Sequence, residues 1–325
     1  MRRRLLALVA AVLSAGVAVA DPVTKDLPAP PAALTKPAPT SLDDLKAIQD
    51  HARAVLDKVI PTTVCLRVGG ATGSGVIVSE DGLILTAGHV SGEPGRKIRV
   101  VLHDGRVVNG ETLGRNREID SGMARITDKG PWPYAELGVS KDLKAGQWCI
   151  ATGHPGGFKK DRPPVVRVGR VGFFNDSLVQ TDCTLVGGDS GGPLFDMAGK
   201  VIGIHSRIGT PIVANIHVPA DTYREYWDQL AAGDKVGENP VWLGVRADID
   251  AKNCKLGEIT PDSPAEEAGL KAGDVIVKFA GKDVGSYQDM VKLLQRKKPG
   301  DEVELEVKRK DETLDLTVKL AKRKD

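Results

Sequence analysis

The sequence predicts a mostly β protein with two folded parts, and three observations carry that reading. First, short β-branched runs broken by glycine follow one another: Thr63 to Val68, Gly75 to Ser79, Leu83 to Thr86, Ile98 to Leu102 and Val107 to Val108. Many short strands at such spacing argue for a barrel or a sandwich. Second, aromatic residues make up only 4% of the 325 residues while there are 37 glycines and 20 prolines, a composition of turns and short strands. Third, Val303-Glu304-Leu305-Glu306-Val307 and Leu314-Asp315-Leu316-Thr317-Val318 alternate as half-buried strands near the far end of a chain long enough for two domains.

The first twenty residues have another purpose. Arg2, Arg3 and Arg4 precede an apolar run from Leu5 to Val19, and Ala18-Val19-Ala20 precedes Asp21. This is the pattern of a secretory signal over residues 1–20, cut after Ala20. As a membrane anchor the run, interrupted by Ser14 and Gly16, falls short of the ~20 residues a spanning helix needs. Export places the chain in the periplasm or outside the cell, and the same signal serves both. Losing the three arginines takes the formal net charge from +2 to −1, a balance that points away from nucleic acid. Cys65, Cys149, Cys183 and Cys254 are too few and too scattered for a disulfide framework, although an exported protein has the compartment for one bridge. Their strand-like settings favour buried free thiols. Neither CxxC nor HExxH occurs, so no metal site is expected.

Residues 21–40 carry Pro22, Pro28, Pro30, Pro31, Pro37 and Pro39 and read as an extended, disordered linker. Ser41 with Asp44 three residues on resembles a capping box, and Leu42, Leu45, Ile48, Val55, Leu56 and Val59 fall at helical spacing. An amphipathic helix is therefore expected from about Leu42 to Lys58, with His51 on its polar, outward side. Trp148 to Pro155 reads as a strand with a turn, and Val165 to Phe174 as another strand. Asp221 to Leu230 reads as a helix packed through Tyr223, Tyr226, Trp227 and Leu230. A first domain over 41–232, a linker over 233–240 and a second domain over 241–321 follow.

Chemistry concentrates in Gly187-Gly188-Asp189-Ser190-Gly191-Gly192-Pro193-Leu194. A serine hydroxyl is a poor nucleophile unless a base takes its proton and N–H groups stabilise the oxyanion that forms. Glycines let the backbone curl so that such groups point inward, and the N–H groups of Gly188 and Ser190 are the expected donors. In Leu83-Ile84-Leu85-Thr86-Ala87-Gly88-His89-Val90 a hydrophobic strand ends in small residues and a histidine, the setting a general base requires. His103, His154, His205 and His217 lack that context and read as structural or superficial. Asp120 heads the mixed apolar run Ser121 to Ile126; a carboxylate entering a buried strand needs donors, and a histidine N–H is a suitable one. The order His89, Asp120, Ser190 is that of the chymotrypsin class.

With these residues in place the chain resembles the HtrA (Deg-type) serine proteases. The motifs that carry the likeness are Gly73-Ser74-Gly75-Val76-Ile77, Leu85-Thr86-Ala87-Gly88-His89-Val90, Gln180-Thr181-Asp182 and Gly188-Asp189-Ser190-Gly191-Gly192-Pro193-Leu194. The resemblance spans about Asp44 to Leu320. It implies a chymotrypsin-like double β-barrel protease domain, substrate contacts from Thr184 and from Ile204, His205 and Ser206, no cofactor, and a homotrimer, although no aromatic cluster near Leu42 to Val59 marks a trimer. The chain departs from the family in having Asp189 where Asn is usual, Val186-Gly187-Gly188 where Asn-Pro-Gly is usual, and Ser121-Gly122-Met123 after the triad aspartate.

The second domain opens with Val241-Trp242-Leu243-Gly244-Val245, continues through Pro261 to Ile276, and has Ser286 capping a helix with Met290, Val291, Leu293 and Leu294. It resembles a PDZ domain. That implies binding of C-terminal peptides, with Leu243, Gly244 and Val245 at the carboxylate and Met290 and Leu294 along the groove. The reading that results is an exported serine endopeptidase acting on unfolded or damaged proteins. Its alternatives are a peptide-binding adaptor or chaperone with a resting protease fold, and an esterase sharing the same chemistry.

Overall fold

A computed structural model of the chain describes residues 27–209, 214–237, 241–248 and 251–322. The secretory signal and the first residues of the Pro/Ala-rich linker lie outside them. The rest of that linker is ordered, against expectation. Ala32–Thr35 form a 3₁₀ turn, Ala33 is buried, and Leu27 and Leu34 pack on the core of the first domain. Proline-rich composition gave these residues an extended backbone, and their leucines gave them a surface to lie on.

Helix α1, Leu42–Val59, starts where Ser41 Oγ accepts the Asp44 N–H at 3.1 Å. Its buried stripe of Ile48, Ala52, Val55 and Val59 faces the body of the domain, with Ile48, Val55 and Val59 each contributing roughly 1.5–3 kcal/mol. His51 lies on that stripe too. It is buried rather than outward, because its Nε2–H donates to Met197 O at 2.8 Å.

Two barrels follow. The strands β1 Thr63–Val68, β2 Ala71–Ile77, β3 Leu83–Ala87, β4 Lys97–Val101, β5 Val107–Asn116 and β6 Ser121–Ile126 form an antiparallel sheet in the order β5-β4-β1-β2-β3-β6, closed by pairing of β5 with β6. The short helix α2, Gly88–Ser91, interrupts it after β3. The strands β7 Trp148–Gly153, β8 Val165–Phe174, β9 Val179–Thr181, β10 Pro193–Asp196, β11 Val201–Ile208 and β12 Asn215–Pro219 close the second barrel in the order β10-β11-β12-β9-β8-β7. The helix expected over 221–230 is two short ones, α3 Ala220–Glu225 and α4 Trp227–Ala231, broken where Tyr226 leaves helical geometry. Within the stretch read as a linker, β13 Lys235–Val236 adds parallel to β5. All four cysteines are buried and free, with the Cys149 and Cys183 sulfurs 3.9 Å apart.

The second domain has its own core around Leu256, Ile276, Phe279, Met290, Leu305 and Val318. It comprises β14 Val241–Trp242, β15 Val245–Ala247, β16 Leu256–Ile259, α5 Pro264–Glu267, β17 Val275–Phe279, β18 Lys282–Asp283, α6 Tyr287–Leu294, β19 Glu302–Arg309, β20 Glu312–Lys319 and β21 Ala321–Lys322. Helix α6 begins as its sequence requires, with Ser286 Oγ accepting the Asp289 N–H at 3.2 Å.

Candidate active site

The residues expected as base and orienter are brought together by the pairing of β3 with β6, which sets Ala87 opposite Ser121 and so places His89 beside Asp120. Every residue of β3 is buried, and Tyr223 Oη donates to Thr86 O at 2.6 Å, fixing the strand that leads into α2 and its histidine. Asp120 takes a left-handed backbone, φ 58°, a strain of order 1–3 kcal/mol for a residue with a Cβ. Its hydrogen bonds hold it there. Its carbonyl accepts the Gly88 N–H at 2.9 Å, Oδ1 accepts the His89 N–H at 2.9 Å, the imidazole Nδ1–H donates to the carboxylate at 3.0 Å, and Ser206 Oγ–H donates to Oδ2 at 2.6 Å. The hydrogen bond to Asp120 raises the His89 pKa above its ordinary value, against the effect of burial. Burial pushes the Asp120 carboxyl up, but the donors from His89 and Ser206 outweigh it and hold the group below the usual aspartate value.

The serine comes from the other barrel, on the turn leading into β10. Gly187 O accepts the Gly156 N–H at 2.8 Å, which turns the Gly188 N–H of the same trans peptide the opposite way. Gly188 itself has φ +98°, and a Cβ there would lie 2.6 Å from Gly156 N, so only glycine fits. The wholly buried Ser74 of β2 ties this turn to the first barrel: its N–H donates to Ser190 O and its Oγ–H to Gly188 O, both at 2.8 Å. Thr86 Oγ donates in turn to Ser74 O at 2.8 Å, linking the serine turn to the strand that leads to His89. Among the described residues, the N–H groups of Gly188 and Ser190 donate to no acceptor within the chain. Ser190 Oγ likewise closes no hydrogen bond with His89, a contact that commonly tightens only once substrate is bound.

The remaining expected site residues divide. Thr184 is exposed on the approach to the serine turn. Ser206, expected at the substrate, points instead at Asp120. Ile204 and His205 are fully buried, and the backbone of His205 is taken up by the serine turn, its N–H on Gly192 O at 2.8 Å and its carbonyl on the Gly191 N–H at 2.7 Å. A substrate contact from the His205 side chain is thereby corrected to a structural role. Its Nε2–H donates to Thr152 O, and its Nδ1 accepts from His217, whose Nε2 accepts from Thr181 Oγ. Burial keeps both imidazoles neutral, pushing His217 down to about 3. In the second domain Leu243 is buried, Gly244 sits at φ +87°, and Leu294 is half-buried at the end of α6. Met290 is wholly enclosed in the core, which corrects its expected place along the groove to one of supporting the helix from beneath. Ser74 stands in the sequence only as part of a motif, and nothing in its glycine-rich strand marks it as the residue that ties the serine turn to the first barrel. Among the described residues no cluster of three metal-binding side chains occurs.

Two six-stranded barrels, with a histidine–aspartate pair on one and a glycine-flanked serine on the other, define the chymotrypsin-like class of fold. Residues 73–204 match the trypsin-like peptidase domain and residues 241–320 the PDZ domain. The chain belongs to the HtrA (Deg-type) family of serine proteases, in which a PDZ domain follows the peptidase domain. It is 36% identical over 270 residues to a protein of Halomonas elongata named probable periplasmic serine endoprotease DegP-like, covering 76% of this chain and 55% of that one. It is 30% identical over 304 residues to the serine protease HTRA1 of Xenopus tropicalis, covering 81% and 65%. The HtrA-type protease AlgW, solved with a tripeptide, superposes with a TM-score of 0.67 at 25% identity over 85% of this chain and 98% of that one. The chain spans about half the length of the DegP-like relatives it matches.

Proposed function

We propose that the protein is an exported serine endopeptidase that cleaves unfolded or damaged proteins by acyl transfer, and that its PDZ domain recognises C-terminal peptides. The observation that carries this reading is the His89–Asp120 pair together with a glycine-flanked serine turn, tied to β3 through Ser74 and Thr86, whose Gly188 and Ser190 N–H groups donate to no acceptor among the described residues. Ser190 Oγ attacks the scissile carbonyl, and its proton passes to His89 Nε2. Asp120 holds Nδ1–H and stabilises the imidazolium. The Gly188 and Ser190 N–H groups receive the oxyanion, and His89 returns the proton to the leaving amine. Water then repeats the sequence on the acyl-enzyme. The pattern of Arg2 to Ala20 and the relatives named periplasmic endoproteases support export to the periplasm. Those relatives also weigh against an adaptor with a resting protease fold. The test is labelling with a fluorophosphonate read by intact mass: one adduct on the wild type and none on Ser190→Ala is the expected result, and an unlabelled wild type sinks the reading.

A further inference from the structure

Between the two oxyanion donors lies Asp189, fully buried, and its counter-charge comes from across the barrel. Arg167, on β8, meets it end-on: Nη1–H donates to Oδ1 at 3.0 Å and Nη2 lies 2.8 Å from Oδ2. The Val186 N–H adds a third donor to Oδ2 at 3.0 Å. The pocket is built closely around this pair. A Cβ at Gly153, on the neighbouring strand β7, would sit 2.5 Å from Asp189 Oδ1. The Asp189 backbone is held at both ends as well, its N–H on Val186 O at 3.1 Å and its carbonyl accepting the Gly192 N–H at 2.8 Å.

We propose that Arg167 is a positioning residue of the oxyanion site: its guanidinium anchors the Asp189 carboxylate and thereby fixes the peptide planes that carry the Gly188 and Ser190 N–H groups. The inference rests on the peptidase reading and adds to it the residue that keeps the site assembled. The Ser190 N–H belongs to the peptide whose carbonyl is Asp189 O, and in a trans peptide the two point in opposite directions. Where Asp189 O is held, Ser190 N–H is aimed. A bidentate arginine fixes both distance and plane, which a single N–H cannot do. Without Arg167 the carboxylate keeps one donor in a dry site, a costly state for a charge. It escapes by turning toward water, and because a single methylene joins it to the backbone the two N–H groups turn with it.

The test compares wild type, Arg167→Met, Arg167→Lys, Asp189→Asn and the double variant Arg167→Met/Asp189→Asn in the full chain. In Arg167→Met, kcat on a peptide substrate is expected to fall about 10²- to 10³-fold, the scale of losing one oxyanion donor, with KM changed by less than about threefold. Arg167→Lys, which keeps the charge and loses the fork, falls between. The double variant recovers at least about tenfold over Arg167→Met, because a neutral asparagine needs no cation yet still accepts from Val186. Amide exchange supplies a readout that needs no turnover: the Asp189 and Gly192 N–H groups should exchange at least about tenfold faster in Arg167→Met than in wild type. Unchanged kcat in Arg167→Met with an active wild type overturns the proposal and leaves the peptidase reading standing. A wild type that takes no fluorophosphonate fails that reading, and exchange then decides whether Arg167 orders the turn. A double variant no better than Arg167→Met also overturns it, since the arginine would then be acting as packing alone.

Discussion

His89 lies with Nδ1 at 3.0 Å from each carboxylate oxygen of Asp120, so the imidazole is held in the tautomer that leaves Nε2 free to take a proton. The pairing has a consequence for pH. Asp120 favours the imidazolium, raising the His89 pKa above the ordinary value of about 6.5, and only neutral imidazole serves as base. Activity should therefore rise with pH through an acid limb centred above that value. In Asp120→Asn the limb should move down, and kcat should fall by about 10⁴-fold through loss of the correct tautomer. A pH–kcat/KM profile of both proteins checks this, and an acid limb unmoved by the substitution counts against the pair.

Removing the nucleophile should leave the fold intact, because Ser190 Oγ makes no hydrogen bond among the described residues and contributes little packing. For Ser190→Ala the expected loss of kcat is on the order of 10⁶-fold with thermal unfolding unchanged. Casein degradation by the purified variant at the wild-type rate would remove Ser190 from the mechanism.

Side-chain preference at the cut follows from charge. Thr184, six positions before the nucleophile, is uncharged and exposed, and the neighbouring Asp189 is already paired with Arg167. The buried histidines of this barrel, His205 on β11 and His217 on β12, are neutral. A lysine or arginine on the acyl side meets no free carboxylate among these residues, so small aliphatic side chains such as valine or alanine should predominate. Mass spectrometry of cleavage products showing mostly cuts after lysine or arginine would overturn this.

What the sequence made legible is what chemistry imposes locally. The serine turn needs glycines beside it, the base needs a strand and small neighbours, and each leaves a contiguous signature. Strand β8 was legible to the residue, Val165 to Phe174, because four valines and two phenylalanines fill it between Pro164 and Asn175. Contacts across the fold leave no such trace. Arg167 and Asp189 are 22 residues apart on different elements, and an arginine in a strand reads as solvent-facing. His51 has polar neighbours in sequence, and only the approach of Met197 O gives its ring a reason to be inside. Ser74 is one residue in a common glycine-rich strand until both carbonyls of the serine turn are seen to converge on it.

The last prediction concerns the PDZ domain, where a peptide would add beside β15 and place its terminal carboxylate on the N–H groups of the Leu243-Gly244-Val245 turn. Strand β15 pairs with β16 along one edge, while on the side of α6 Tyr287 Oη donates to Val245 O at 2.9 Å. That phenol occupies part of the edge an incoming strand would use. Tyr287→Phe should therefore tighten binding of a hydrophobic C-terminal peptide by roughly 2- to 10-fold, the scale of one net hydrogen bond. The amidated twin of the peptide should bind far more weakly to both proteins. Helix α6 also reaches the peptidase domain, with Gln295 Nε2 donating to Glu118 Oε2 at 3.3 Å, two residues ahead of Asp120. Peptide binding should accordingly raise peptidase activity by about 5- to 150-fold, the usual range for coupled sites. Calorimetry with the acid and amide peptides, paired with peptidase assays on wild type and Gln295→Ala, separates the claims. Equal binding of acid and amide sinks the carboxylate site, and activation unaltered in Gln295→Ala removes this contact from the coupling.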